Sequence, residues 1–142
     1  MGQNQKKIIA IGGGGFTHRS DEVLDKFVID QCKKKQINFG FLPTASEDNK
    51  DKIKLFYSEL DKYNIQLSHF ELCSSSNGFE EWLMAQDIIY IGGGNTKFMI
   101  KVWEDNNLIK LFKDAYNSGI ILSGISACLL YTSPSPRDEK VS

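Results

Sequence analysis

Short apolar runs alternate with longer amphipathic segments along the chain. Lys7 to Ile11 (KIIAI) predicts a strand that runs out into four glycines. Val23, Leu24, Phe27, Val28 and Cys32 then recur at helical spacing, with Ser20 as N-cap and Asp21 and Glu22 in the first turn. Asn38 to Leu42 (NFGFL) predicts a second strand, stopped by Pro43, and Ile53, Phe56, Leu60 and Tyr63 line one face of a second helix. Gln66 to Leu72 reads as a third, less apolar strand. Phe79, Trp82 and Leu83 mark a short helix, and Asp87 to Ile91 (DIIYI) a fourth strand, followed again by glycines. Phe98, Met99, Val102 and Trp103 make a further helical stripe. Leu108, Ile109, Phe112 and Tyr116 make another, closed by Gly119 at the C-cap position. Ile120 to Ser123 (IILS) is the fifth strand.

Strand-helix alternation of this kind implies an α/β fold, a parallel sheet with helices on both faces. The strand cores IIAI, IIYI and IIL are continuous rather than alternating, as strands covered on both sides require. Crossovers in such a sheet are right-handed. The pattern contains no internal repeat and no linker, and 142 residues fit one domain with one core.

Composition narrows the function classes. With 17 basic against 18 acidic residues there is no electrostatic case for nucleic acid or an anionic membrane. The Lys33-Lys34-Lys35 run fits a helix C-terminus. No apolar run approaches transmembrane length, the polar Met1 to Lys7 lacks a signal-peptide core, and Lys6 stands where a myristoylation signal wants Ser or Thr. A cytoplasmic protein is the expectation. Cys32, Cys73 and Cys128 are odd in number and lack CxxC spacing, which argues against a disulfide framework or a zinc site. Cys32 and Cys73 are expected to be inert buried thiols.

In an open parallel sheet, ligands bind beyond the carboxyl ends of the strands. Three of the five predicted strand ends carry distinctive residues: Gly12-Gly13-Gly14-Gly15-Phe16, Gly92-Gly93-Gly94-Asn95-Thr96 and Ser123-Gly124-Ile125-Ser126-Ala127. The last has the form of a nucleophile elbow, a serine at the apex of a tight strand-to-helix turn with small neighbours, Gly124 and Ala127. Such a serine needs a positioned base. An ordinary turn serine is the alternative. The Gly92-Gly93-Gly94 loop leaves N–H groups to face a ligand, either a phosphate or an oxyanion. No Lys-Ser or Lys-Thr pair follows it, so it is not a P-loop, and the first glycine run is an imperfect dinucleotide fingerprint because Thr17 replaces its last glycine. Thr44 and Ser46 lie at a strand end where a substrate-facing role is open, and Glu47, Asp48 and Asn49 read as helix-start residues. Trp82 and Trp103 are expected in the core or on helix faces.

The segments IIAIGGGGF, FLPTAS, IYIGGGNTKF and LSGISA, in this order, resemble the peptidase E family of serine peptidases, family S51. The resemblance runs from about Lys7 to Ala127. It implies a three-layer αβα sandwich with a mostly parallel sheet, the fold of class I glutamine amidotransferases, incomplete at its C-terminus. It further implies that Ser126 is the nucleophile, that the N–H groups of Gly94 and Ala127 form the oxyanion hole, and that Gly93 and Asn95 support the loop. The family hydrolyses short peptides, in its best-known members dipeptides with an N-terminal aspartate, and needs no metal or cofactor. A short peptide is thus the implied partner, with a homodimer as an open assembly. Two readings from other classes compete: a nucleotide- or small-molecule-binding module built on the glycine loops, and a non-catalytic amidotransferase-like partner domain.

The chain departs from the family pattern after Ala127, where Cys128 replaces the glycine of GxSAG. Pro134 and Pro136 forbid a regular helix through the next stretch. Cys128 to Asp138 (CLLYTSPSPRD) resembles, codon for codon, the translation of a transposon adapter used in sequencing libraries. The expectation is that residues 1–127 form the N-terminal part of a peptidase E-like domain and that residues 128–142 are not native. In the family the base histidine and its acidic partner follow the nucleophile. The two histidines here, His18 and His69, both precede Ser126, and neither matches that base. An incomplete triad is therefore expected, together with uncovered apolar surface on the sheet and on the helix Leu108 to Tyr116.

Overall fold

A computed structural model describes residues 8–11, 26, 29–33 and 35–125. Ser126, Ala127, His18, Gly12 to Gly15 and residues 128–142 lie outside the described residues. The strands are β1 (Ile8–Ile11), β2 (Asn38–Leu42), β3 (Gln66–His69), β4 (Ile88–Ile91) and β5 (Ile121–Ile125). The helices are α1 (Lys50–Leu60), α2 (Phe79–Met84), α3 (Thr96–Asp105) and α4 (Ile109–Asn117). A single 3-10 turn, Thr44–Ser46, follows β2. Of the helix expected before β2, Lys26, Ile29 and Asp30 are described with helical backbone, and Ile29 and Cys32 are buried.

The five strands form one sheet in the order β1-β5-β4-β2-β3, and every pairing is parallel. Side chains of successive residues leave opposite faces, which splits the core in two. On one face Phe39, Phe41, Ile88, Tyr90 and Ile121 pack with Ile29, Ile53, Phe56 and Leu60. On the other, Leu42, Ile89, Ile91 and Leu122 pack with Phe79, Leu83, Met99, Trp103 and Phe112. The central strand β4 is buried along its whole length, so IIYI needs no polar alternation. This is the expected three-layer αβα arrangement. Rings fill much of both layers: Phe41 stacks on Phe56 at 5.0 Å between centroids, and Trp103 meets Phe112 at 4.3 Å.

Local sequence accounts for two of the helix starts. Asn49 caps α1 by accepting the Lys52 N–H, and Asn95 caps α3 by accepting the Phe98 N–H, both at 3.0 Å. α4 ends at Ser118, and Gly119 just beyond it takes a φ of 100°, the left-handed turn for which glycine is suited. Several boundaries differ from the sequence reading. The third strand stops at His69; Phe70 still donates its N–H to Phe41 O at 3.2 Å, and its ring packs on Phe79 and Trp82. Tyr63 lies beyond the end of α1 and packs on its core face from the following turn. The fifth strand runs on to Ile125. Leu108 and Phe112 are buried, so α4 does not present the apolar surface expected of it; the large apolar side chain exposed among the described residues is Met84. No helix of the described part is long and apolar enough to cross a membrane.

Candidate active site

The strand order sets the site. β1, β5 and β4 are neighbours, and all point the same way. Ile11 pairs with Ile125, and Ile91 pairs with Gly124. The carboxyl ends that lead into Gly12 to Gly15, into Ser126 and into Gly92 to Gly94 therefore stand side by side, about 4.8 Å from strand to strand. Sequence order gives no sign of this contiguity, since β2 and β3 intervene along the chain but not between these three strands.

Two glycines make the close approach possible. Gly124 has a φ of 155°, and a Cβ there would lie 2.4 Å from the carbonyl oxygen of Ile91. Gly94 has a φ of 146°, and a Cβ there would lie 2.4 Å from the carbonyl oxygen of Ala45. The first brings β5 tight against β4 two residues before Ser126. The second docks the glycine loop on the turn after β2.

That loop is held at three points. Gly92 N–H donates to Leu42 O at 3.0 Å, and Asn95 N–H donates to Ala45 O at 2.7 Å. The Lys52 ammonium, from the first turn of α1, lies 3.4 Å from Gly93 O. Asn95 thus braces the loop with its backbone while its side chain caps α3. Gly94 and Asn95 are exposed, and among the described residues neither Gly93 nor Gly94 donates its N–H to a backbone carbonyl. The loop opens directly onto the N-terminus of α3, the positive end of the helix dipole. Backbone N–H groups without a carbonyl acceptor, a nearby ammonium and a helix N-terminus are features that suit an anion.

Several flanking residues are placed differently from expectation. Thr44 is fully buried, so its hydroxyl does not face a substrate. The Ser46 hydroxyl is turned back onto Pro43 O at 3.0 Å. Glu47 and Asp48 are not plain helix-start residues, for both have left-handed backbone and Asp48 is buried. Asp48 Oδ2 accepts the Cys73 N–H at 2.9 Å, and burial pushes this carboxyl above its usual range against the lowering effect of that bond.

His69, which does not match the family base, is tied into a network. Its Nδ1 shares a hydrogen bond of 2.7 Å with the Tyr57 hydroxyl, and its Nε2 meets Glu71 Oε2 at 2.9 Å. The bond from His69 holds the Glu71 carboxyl below its ordinary range. The network pins the sheet edge to α1. β3 is three strands from β5, roughly 14 Å across the sheet, which puts His69 out of hydrogen-bond reach of a group at the end of β5. No group of three His, Cys, Asp or Glu side chains among the described residues has the geometry to hold a metal ion.

Cys73 was expected to be buried. It is exposed, yet its sulfur is turned toward Thr44 O at 3.9 Å, and desolvation, reinforced by the Asp48 carboxylate, pushes its thiol up to about 11. A thiol at that value carries little thiolate at neutral pH. Alkylation of Cys73 by iodoacetamide at pH 8, followed by mass spectrometry, is expected to run about two orders of magnitude slower than that of free cysteine. A rate equal to that of free cysteine would contradict the assignment.

The sequence matches the family model of peptidase family S51 over residues 8–140. It is 37% identical over 124 residues to the uncharacterized peptidase YgaJ of Bacillus subtilis strain 168, a match covering 86% of this chain and 54% of that protein. The fold resembles the crystal structure of a putative peptidase E protein from Listeria monocytogenes EGD-e, at a TM-score of 0.59 and 25% identity over 73% of this chain and 54% of the other. A peptidase from an acI-B1 Actinobacterium shares the fold at a TM-score of 0.64 and 17% identity, over 89% of this chain and 56% of that one. The chain spans about half the length of these relatives. A family match over nearly the whole chain, with a curated relative at this identity, places the protein: it belongs to peptidase family S51.

Proposed function

We infer that this chain carries the nucleophile half of a serine-type peptidase site for short peptides, with Ser126 as nucleophile and the N–H groups of Gly94 and Ala127 as the oxyanion hole. The observation that carries the reading is the contiguity of β5 and β4: the strand that runs into Ser126 lies directly beside the strand that runs into the glycine loop. A carbonyl presented to a hydroxyl at the first position would place its oxygen toward the N–H groups of the second.

In the step this implies, the Ser126 hydroxyl oxygen attacks the peptide carbonyl as its proton passes to a base. The carbonyl oxygen becomes negative and is stabilised by the two N–H groups. The amine leaves with a proton from the same base, and water then hydrolyses the acyl-enzyme. Lys52 and the α3 N-terminus add positive potential beside the oxyanion. Among the described residues no histidine is placed to act as the base, since His69 is engaged by Tyr57 and Glu71 at the far side of the sheet. In the family the base follows the nucleophile, and both histidines of this chain precede Ser126.

Two assays separate the pieces. The product of the full reading frame, taken from genomic DNA, is expected to hydrolyse dipeptides and to lose that turnover on Ser126→Ala. The 142-residue chain is expected to show none. Turnover by the 142-residue chain that Ser126→Ala abolishes would contradict its proposed inactivity. Full turnover in the Ser126→Ala full-length protein would contradict the assignment of the nucleophile.

A further inference from the structure

The turn between β2 and α1 carries more strain and more buried polarity than a connection needs. Glu47 and Asp48 are consecutive non-glycine residues at φ 58° and 56°, a conformation that persists only where the surroundings enforce it. Here the backbone folds onto itself: Ser46 N–H and Asp48 N–H both donate to Pro43 O, at 3.1 and 3.0 Å, and Glu47 N–H donates to Thr44 O at 2.9 Å. The turn carries the Asp48 carboxylate inward until the residue is 8% exposed. There Oδ2 clasps the Cys73 N–H, while Oδ1 is buried with no partner among the described residues. A buried carboxylate is costly where a solvated turn residue would serve.

The same turn sets the glycine loop. Ala45 O accepts the Asn95 N–H at 2.7 Å, and Ala45 O, Ala45 C and Ser46 N are the three atoms nearest to where a Gly94 Cβ would stand. Wherever the turn sits, the loop must follow. We propose that Asp48 is a positioning residue for the Gly92–Asn95 loop, acting through Ala45: its clasp on the Cys73 N–H fixes the turn, and the turn fixes the N–H groups of the loop. The catalytic meaning of this rests on reading the loop as the oxyanion cradle.

Three variants of the 142-residue chain separate positioning from plain stability. Asp48→Asn keeps an acceptor oxygen and tolerates left-handed backbone. Asp48→Gly keeps the backbone and loses the clasp. Asp48→Ala loses both. The readouts are amide chemical shifts and hydrogen exchange at Gly94 and Asn95, beside the thermal midpoint. In Asp48→Gly and Asp48→Ala the Asn95 amide is expected to exchange about tenfold faster, one buried hydrogen bond's worth, with shifted Gly94 and Asn95 signals. Asp48→Asn is expected to match the wild type. Loop amides unmoved in Asp48→Gly would overturn the proposal, as would amides that move in Asp48→Asn as far as in Asp48→Ala. So would exchange that quickens equally across the fold in step with the midpoint. In the full gene product, Asp48→Gly is expected to slow labelling of Ser126 by a fluorophosphonate. An unchanged labelling rate would overturn the proposal, whereas absence of label in the wild type would sink the reading of the site and the proposal with it.

Discussion

Alanine at Gly94 is expected to cost the full gene product about 10²- to 10³-fold in turnover, the loss seen when one oxyanion donor is misplaced. Two effects combine. The φ of 146° is one that alanine rarely adopts, and the added methyl would fall 2.4 Å from Ala45 O and 2.6 Å from Ala45 C. Both obstacles are backbone atoms, so no side chain can swing away to relieve the clash. Either the loop lifts off the turn, breaking the bond from Asn95 N–H to Ala45 O, or the turn gives way and Asp48 loses its clasp. Steady-state dipeptide hydrolysis checks this beside thermal melting. Turnover should fall far more than the melting temperature does. A Gly94→Ala protein with wild-type turnover would mean that this N–H plays no part in the reaction.

The largest effect on stability is expected at Trp103. It is completely buried in the layer formed by α2, α3 and α4, with the Phe112 ring tilted against it at 4.3 Å and Met99, Ile100 and Leu108 in the same cluster. Trp103→Ala should destabilise by about 3–5 kcal/mol, a transfer loss plus an unfilled cavity. Against a usual stability of about 5–15 kcal/mol, that is a large share of the total. Trp103→Phe is expected to cost less than about 2 kcal/mol. It keeps an aromatic ring on Phe112 and removes an indole N–H that is buried with no partner among the described residues. Urea melts of the three proteins give the comparison. Equal losses for Ala and Phe would contradict the ring volume as the source of the effect.

Much of this architecture was legible in the chain because continuous apolar runs and amphipathic stripes are local signals. IIYI announced a strand covered on both faces, and Met99 with Trp103 announced a helix face. Local signals were weaker where a tertiary contact decided the outcome. Phe70 and Leu72 read as continuing a strand, but β3 ends at His69, and both pack into the cluster that holds α2. The glycine loop and the serine turn were legible as motifs, whereas their adjacency was not, for it arises from a strand order that no local pattern encodes. Asp48 gave the least warning. An acidic residue directly before an Asn N-cap is ordinarily a solvated helix-start residue, and only the left-handed pair at Glu47 and Asp48 turns it inward. Likewise, nothing local to His69 points to Tyr57 and Glu71 as its partners, although Glu71 lies two residues away.

The assignment of Ser126 is tested most directly by phosphonylation. The full gene product would be treated with a fluorophosphonate and the labelled peptide located by mass spectrometry. The account predicts a single label on Ser126, slowed by Gly94→Ala and abolished by Ser126→Ala. A label on another residue, or one that persists in Ser126→Ala, would contradict it.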